Sequence, residues 1–343
     1  MKAFVYLGPG QAAVQETAAP VPGEGEGLVR VAYAGICGTD LSIAAGKHPR
    51  ATAPLVLGHE FSGELVEING PSGGSHLRKG DKVTAFPLLV CGTCLACRTG
   101  YEHVCRNLRL IGIDRDGAMA EYVSVPLSLL VKLDEEVDLS LGVLVEPLAV
   151  CVHSVRESRV QIGDNVLVSG CGPIGLLLAL VLRHAGIERI TLTEISPYRK
   201  DFAADLGFDV LDPTEEAFAQ SVLDRSDGEG VDTLFEASAA PPAALSMAGL
   251  VRPRGEIVIV SVFKEPPAVD LRAINFKEIV LRGVRVYTRQ DFQRAGELSA
   301  SGKIPLEKMI THCAPLQEAP SAFDTARQGK DALKVLLDCQ NPQ

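Results

Sequence analysis

The sequence predicts an α/β fold in two parts: a β-rich, barrel-like first half, then a doubly wound parallel sheet. Three observations carry this. Short β-rich segments bounded by Gly, Pro or Asp fill residues 1 to about 135, and strands and helices alternate from Ile162 onward. A glycine turn, Gly170-Cys171-Gly172-Pro173-Ile174-Gly175, sits between an apolar strand and an apolar helix.

In the first half, residues 28–34, 62–68, 82–86 and 120–125 read as strands. In the second, the strand at 166–169 is rich in β-branched residues, as a buried parallel strand should be. The helix from Leu176 ends in Arg183, His184 and the stop at Gly186. Strand, glycine turn and helix in that order form a phosphate cradle: the glycines admit the pyrophosphate, and the helix N-terminus supplies N–H groups. The same stretch, 166–182, carries no charge and approaches the length of a membrane span. A Gly-Pro pair in its middle makes a buried strand–turn–helix the better reading.

Beyond the turn, the pattern predicts a strand at 189–193, a helix at 198–206 and a strand at 208–211. Asp212-Pro213-Thr214-Glu215 then predicts a capped helix start. A strand at 231–235, a helix at 243–250, a strand at 256–262 and a strand at 278–287 complete the alternation. Residues 291–301 and 319–327 read as helices and 333–338 as a strand, a tail expected to return to the first domain. The domains are thus expected at 1–146, with a cysteine lobe at about 88–108, at 147–287, and at 288–343 for the returning segment.

Glu194 follows the second strand of the alternation, about 20 residues past the turn, where a carboxylate binds the adenosine ribose 2′-hydroxyl and repels a 2′-phosphate. NAD is therefore favoured over NADP, although Arg199 and Lys200 are cations able to accept a phosphate. Gly170, Gly172, Pro173, Ile174, Gly175, Glu194, Arg199 and Val260 form the candidate cofactor set.

Composition narrows the partners. The net charge of −10 argues against nucleic acid or an anionic membrane. The first residues, Met1 to Tyr6, lack the apolar core of a signal peptide and read as a strand. Nine cysteines, an odd number with several bunched, point to metal ligation in a reducing compartment, with the cytoplasm the default.

Two groups of potential metal ligands interrupt the β-rich half. Cys91, Cys94, Cys97 and Cys105 follow the spacing C-x₂-C-x₂-C-x₇-C. Four thiolates close a tetrahedral zinc shell and leave no room for substrate, so this reads as a structural site, with an iron–sulfur centre the minor alternative. Cys37, His59 and Glu60 are dispersed, and such a mixed set suits a catalytic zinc with an open position. Taken singly they are a buried thiol, a core histidine and a surface charge. Glu146 precedes Pro147, which as a first helical residue places Glu146 near the N-cap; the functional alternative is a carboxylate facing the zinc.

With Gly35-x-Cys37-Gly-Thr39-Asp40, Gly58-His59-Glu60, the four-cysteine lobe, Glu146-Pro-Leu-Ala and the glycine turn all in order, the chain resembles the zinc-dependent medium-chain dehydrogenases over essentially its whole length. Glutamate at 146, where simple alcohol dehydrogenases carry cysteine, makes it similar to the sorbitol, butanediol and threonine dehydrogenase branch. The resemblance implies a GroES-like barrel as catalytic domain, a Rossmann NAD-binding domain, and homodimers or homotetramers. It implies that Cys37 and His59 ligate catalytic zinc, with Glu60 or Glu146 completing the shell directly or through water. Thr39 would bond the substrate oxygen, and Asp40 would orient His59. Ser42 stands where many relatives carry the histidine that ends the proton relay, and His48 is nearby in sequence. The implied reaction is reversible oxidation of a secondary alcohol (polyol, sugar alcohol, diol, cyclitol or aminocyclitol) to a ketone with hydride transfer to NAD. The alternatives are an L-threonine-type amino-alcohol dehydrogenase and a non-catalytic NAD-binding structural or regulatory protein.

Overall fold

The computed structural model describes residues 1–70 and 76–341. The chain divides into two compact units, Met1–Ala149 with Thr288–Gln343, and Val150–Tyr287.

The first unit is built on a seven-stranded sheet. Its order runs Leu130–Lys132, Lys82–Ala85, Glu60–Asn69, Glu26–Gly35, Lys334–Asp338, Ile310–Pro315, and Tyr122–Pro126 pairs with the first half of Glu26–Gly35. In Glu26–Gly35, Val29 and Val31 are buried while Arg30 is exposed, the period-two pattern of a strand with one face on the core. Lys334–Asp338 lies inside the sheet, which its buried run Val335, Leu336 and Leu337 requires. Its pairing places Leu336 opposite Gly35, and Glu60 is opposite Gly35 on the other side. Three distant pieces of sequence therefore meet at one point. A three-stranded sheet of Lys2–Gly8, Gln11–Glu16 and Leu55–Val56 and the pair Leu88–Leu89 and Arg109–Leu110 complete the unit's β structure among the described residues.

The second unit is a six-stranded parallel sheet in the order Asp209–Leu211, Arg189–Thr193, Asn165–Ser169, Val231–Glu236, Val251–Ile259, Val280–Gly283. Counting strands within the unit, this is 3-2-1-4-5-6, the doubly wound order with its switch point beside Asn165–Ser169. The uncharged run resolves into that strand, the glycine turn and the helix Pro173–His184, whose residues from Gly175 to Leu182 are all buried. No helix among the described residues is long and apolar enough to cross a membrane.

Three local expectations are corrected. The expected strand at 278–287 is only Val280–Gly283, because Glu278 and Val286 take positive φ (50° and 44°) and break the extended backbone on either side. Asp212 caps no helix: its carboxylate accepts from the Thr214 backbone and hydroxyl and pairs with Lys200 Nζ at 2.8 Å, and the helix begins at Phe218. Pro147 is not the first helical residue, since the helix is Val145–Glu157, although Glu146 does lie at the helix start as expected. Pro147 falls inside its first turn, where a missing N–H costs no intrahelical bond.

Candidate active site and metal centres

The cysteine lobe wraps the short helix Leu95–Arg98 and the turn Glu102–Val104. Cys94 and Cys97 sulfurs lie 3.5 Å apart, Cys94 and Cys105 3.9 Å, and Cys105 and Cys91 3.5 Å. A tetrahedron with Zn–S of about 2.3 Å has edges of about 3.8 Å, whereas a disulfide closes to about 2.05 Å. The residues thus fit one tetrahedral ion, and the edges are short for thiolates spread over the separate irons of a cluster. Backbone N–H groups of Thr93 and Cys94 draw the Cys91 thiol down to about 5, and those of Cys97 and Arg106 lower Cys94. Desolvation, then the Cys94 and Cys105 thiols, push Cys97 up to about 12, so a proton stays there for a metal to displace.

The second centre forms where three elements end. Cys37 caps the helix Gly38–Ala44, and its backbone N–H donates to Asp40 Oδ2 at 2.9 Å. Asp40 is fully buried, and its other oxygen faces His59 Nδ1 at 3.6 Å, too long for a hydrogen bond. Both atoms lack a partner, although each is buried. Burial opposes a charged His59, yet Asp40 and then Cys37 outweigh it and hold the imidazole well above its ordinary pKa. With Nδ1 turned to Asp40, Nε2 is the nitrogen left for a ligand. The ligand atoms of Cys37, His59 and Glu60 all lie within 4.8 Å of one another. A half-buried thiolate clustered with a buried imidazole and a buried carboxylate fits a catalytic zinc.

Glu146 is buried but is not among the side chains whose ligand atoms converge. Thr39 is half-buried in the first turn of the helix that Cys37 caps, and Ser42 follows one turn later on that helix. His48 is engaged by its own loop, with Nδ1 accepting from the backbone of Ala51 at 3.3 Å and Arg50 at 3.4 Å, and burial followed by the Arg50 charge lowers its pKa.

One participant escaped the sequence reading. Lys334, on the C-terminal strand, is only 3% exposed; its ammonium pairs with Glu60 Oε2 and donates to the Ile36 carbonyl at 3.2 Å. Burial works against its charge, but Glu60 and then Cys37 raise its pKa overall. A Cβ at Gly35 would overlap the Glu60 carboxylate and crowd the Lys334 stem, so glycine there makes room for the pair. The available signal was a lone cation inside an apolar strand.

In the second unit, Glu194 directly follows the strand Arg189–Thr193, and its carboxylate accepts from the backbone N–H of Cys171 at 3.0 Å, Ile195 at 2.8 Å and Ser196 at 2.9 Å. The carboxylate is thereby tied to the glycine turn itself. Pro173 and Ile174 open the helix Pro173–His184, after Gly172 as N-cap. Arg199 Nη1 lies 3.8 Å from where a side chain on Gly172 would begin, and its Nε is buried without a partner. Cys171 is buried and its thiol is pushed up to about 12 by desolvation, then Glu194, which suits packing rather than reactivity. Val260 lies one residue past the end of Val251–Ile259, where its N–H turns back to the Glu236 carbonyl at 2.9 Å. Glu236, also not singled out from sequence, is fully buried and braces that end of the sheet through Ser238, Ala239 and Ser261. A separate cavity of about 400 Å³ opens at the amino ends of the parallel strands, lined by Asn165, Arg189, Asp209 and Arg225 among others. Ligands of doubly wound sheets bind at the carboxyl ends, where the glycine turn lies.

Comparison with known proteins agrees with this geometry. Residues 23–135 match the model of the alcohol dehydrogenase GroES-like domain, and residues 173–301 that of the zinc-binding dehydrogenase family. The chain is 38% identical to 2-dehydro-3-deoxy-L-galactonate 5-dehydrogenase of Pseudoalteromonas atlantica, with 100% of each chain covered. It is 34% identical to L-threonine 3-dehydrogenase of Pyrococcus horikoshii, with 98% of each covered. Among solved structures, 2R,3R-butanediol dehydrogenase from Bacillus subtilis superposes with a TM-score of 0.90 at 30% identity, covering 98% of this chain and 99% of that one. A GroES-like unit with a four-thiolate lobe and a Cys–His–Glu cluster, joined to a doubly wound unit with its glycine turn, places the chain in the zinc-dependent medium-chain dehydrogenase family, on its polyol dehydrogenase-like branch.

Proposed function

We propose that the protein oxidises a secondary alcohol on a polyhydroxylated substrate, a polyol or sugar acid, to a ketone with NAD as hydride acceptor. The observation that carries this is the convergence of half-buried Cys37 with buried His59 and Glu60 in a mixed-donor cluster, since three protein ligands leave a fourth position for substrate. Zinc held there supplies a Lewis acid that lowers the pKa of the substrate hydroxyl. Thr39, in the first turn beside Cys37, takes the hydroxyl proton through its own oxygen. Asp40 keeps His59 oriented and fixes the Cys37 backbone, so the ligand set is positioned before substrate arrives. Glu146 adds a carboxylate close to the same cluster. Ser42 carries no imidazole, so the proton passes from Thr39 to water or to another group.

NAD is the fitting cofactor. Three backbone N–H groups fix the Glu194 carboxylate, and a 2′-phosphate would meet that fixed negative charge. Arg199 reaches toward Gly172, which supports a role for its charge at the pyrophosphate. The relative with 38% identity is named for a sugar acid, which supports substrates of that class. The four-thiolate lobe needs reduced cysteines, which supports the cytoplasm as its location. Oxidation of a panel of polyols, sugar acids and L-threonine with NAD and NADP tests the reading. A polyol or sugar acid is expected to react best, with kcat/KM for NAD about tenfold or more above that for NADP, a difference of about 1.4 kcal/mol. Turnover of L-threonine alone would overturn it in favour of the amino-alcohol alternative.

We further propose a homo-oligomer, a dimer or tetramer, formed through the strand Val280–Gly283. It is one of the two edge strands of the parallel sheet, and Leu281 on it is 43% exposed. Sedimentation should show at least a dimer that Leu281→Lys dissociates; a monomeric parent chain would refute this.

A further inference from the structure

Glu236 ends the strand Val231–Glu236 as a fully buried carboxylate, and among the described residues no Lys, Arg or His forms an ion pair with it. A buried charge is costly unless donors surround it, and the donors here come from two separate loops. Glu236 Oε1 accepts from the Ser238 N–H at 2.9 Å, the Ser238 hydroxyl at 2.5 Å and the Ala239 N–H at 3.0 Å. Oε2 accepts from the Ser261 hydroxyl, on the loop that follows the next strand, Val251–Ile259. A carboxylate accepts on both oxygens, so one side chain holds both loops. The backbone repeats the tie, since the N–H groups of Val260 and Ser261 donate to the Glu236 carbonyl at 2.9 Å and 3.0 Å.

The two loops share a place beside the glycine turn. A Cβ on Gly170 would lie 3.1 Å from Ser238 Cα, and Ser169 Oγ donates to Ser238 Oγ at 3.4 Å. Ala239 is held at φ +55°, a left-handed conformation unfavourable for alanine, and its N–H is among those that Glu236 fixes. Residues 237–240 and 260–262 are only Ala, Ser and Val, and Val262 is 86% exposed. An uncharged surface of small side chains suits a flat ring better than a phosphate. With the adenosine ribose at Glu194, a dinucleotide that crosses the switch point lays its other end along the strands Val231–Glu236 and Val251–Ile259.

We propose that Glu236 is a positioning residue for the nicotinamide half of the cofactor. It draws the loops after the two strands together into the surface on which the nicotinamide and its ribose rest, and it leaves the adenosine half untouched. This rests on the NAD reading above, and the experiment separates the two.

Calorimetric titration of the full chain with two ligands reads the two halves separately: NADH spans both, and 5′-AMP fills only the adenosine end. Glu236→Met keeps much of the side-chain shape but accepts no hydrogen bond from either loop. It is expected to weaken NADH binding about tenfold, as loss of charge-assisted hydrogen bonds implies, with 5′-AMP affinity unchanged. Glu236→Gln keeps one neutral acceptor and should recover part of the loss, to about threefold. Ser261→Ala removes only the Oε2 donor and should also weaken NADH about threefold, adding nothing to Glu236→Met because both cut the same link. A purely structural carboxylate would instead weaken both ligands together. Equal losses for NADH and 5′-AMP, or parent-like NADH binding in Glu236→Met, overturns the proposal. If Glu236→Met does not fold, Ser261→Ala decides: NADH affinity at the parent value, or a loss shared with 5′-AMP, overturns it. A parent chain that binds neither ligand would refute the NAD reading as well. A parent that binds both, with variants that do not tell them apart, would refute this inference alone.

Discussion

Cys37→Ser is expected to lower kcat/KM by about 10³-fold or more, equivalent to about 4 kcal/mol of lost transition-state stabilisation, while the chain still folds. Serine keeps nearly the shape of cysteine but offers a neutral hydroxyl where a thiolate stood. The Cys37 backbone N–H still donates to Asp40, so the helix Gly38–Ala44 keeps its start. What is lost is one of three converging donors, so zinc content should fall from two per chain to one, retained by Cys91, Cys94, Cys97 and Cys105. Metal analysis and steady-state kinetics on the same preparation check both halves. An active variant would remove Cys37 from the reaction and with it the zinc reading. A chain that loses both zincs and unfolds would show that the two centres are not independent.

The second large effect lies in the other unit. Gly175→Ala is expected to weaken NADH binding by about 100-fold, or roughly 2.7 kcal/mol. It should also destabilise the second unit by about 3 kcal/mol, the upper range for overpacking. A Cβ at Gly175 would overlap the Gly170 carbonyl oxygen, which is backbone and cannot step aside as a side chain can. Gly170 itself holds φ +101° against Ser238, so the turn cannot relax outward without moving that neighbour. The displaced turn would carry the Cys171 N–H away from Glu194, loosening the proposed ribose site and phosphate cradle together. Fluorescence titration with NADH and chemical denaturation measure the two losses. Parent-like binding would mean that the turn is not the cradle.

What was legible in the sequence is what local spacing encodes. Four cysteines within fifteen residues, 91–105, can reach one ion without help from the rest of the fold. The glycine turn between strand and helix is likewise a short-range object, and Glu194 lies at a near-fixed distance along one strand–helix–strand repeat. Elements whose ends depend on backbone conformation were less legible. Positive φ at Glu278 and Val286, both non-glycine, bounds the edge strand, and the one glycine of the stretch, Gly283, marks its end. Asp212 and Pro213 looked like a helix start, yet Lys200 and Thr214 hold the carboxylate in a turn instead.

By itself the sequence determined the two-part α/β plan, the four-cysteine lobe, the glycine turn and a Cys37–His59 pair with a carboxylate beside it, Glu60 or Glu146. Each of these is written in residue identity and short spacing, which constrain chemistry before any long-range contact forms. Only the tertiary structure decided which carboxylate joins that cluster and what opposes it. Glu60 stands opposite Gly35 through strand pairing, and Lys334 reaches it because the C-terminal strand pairs on the other side of the same glycine. Residues 60 and 334 are brought together by sheet register, a long-range property that the sequence alone does not display.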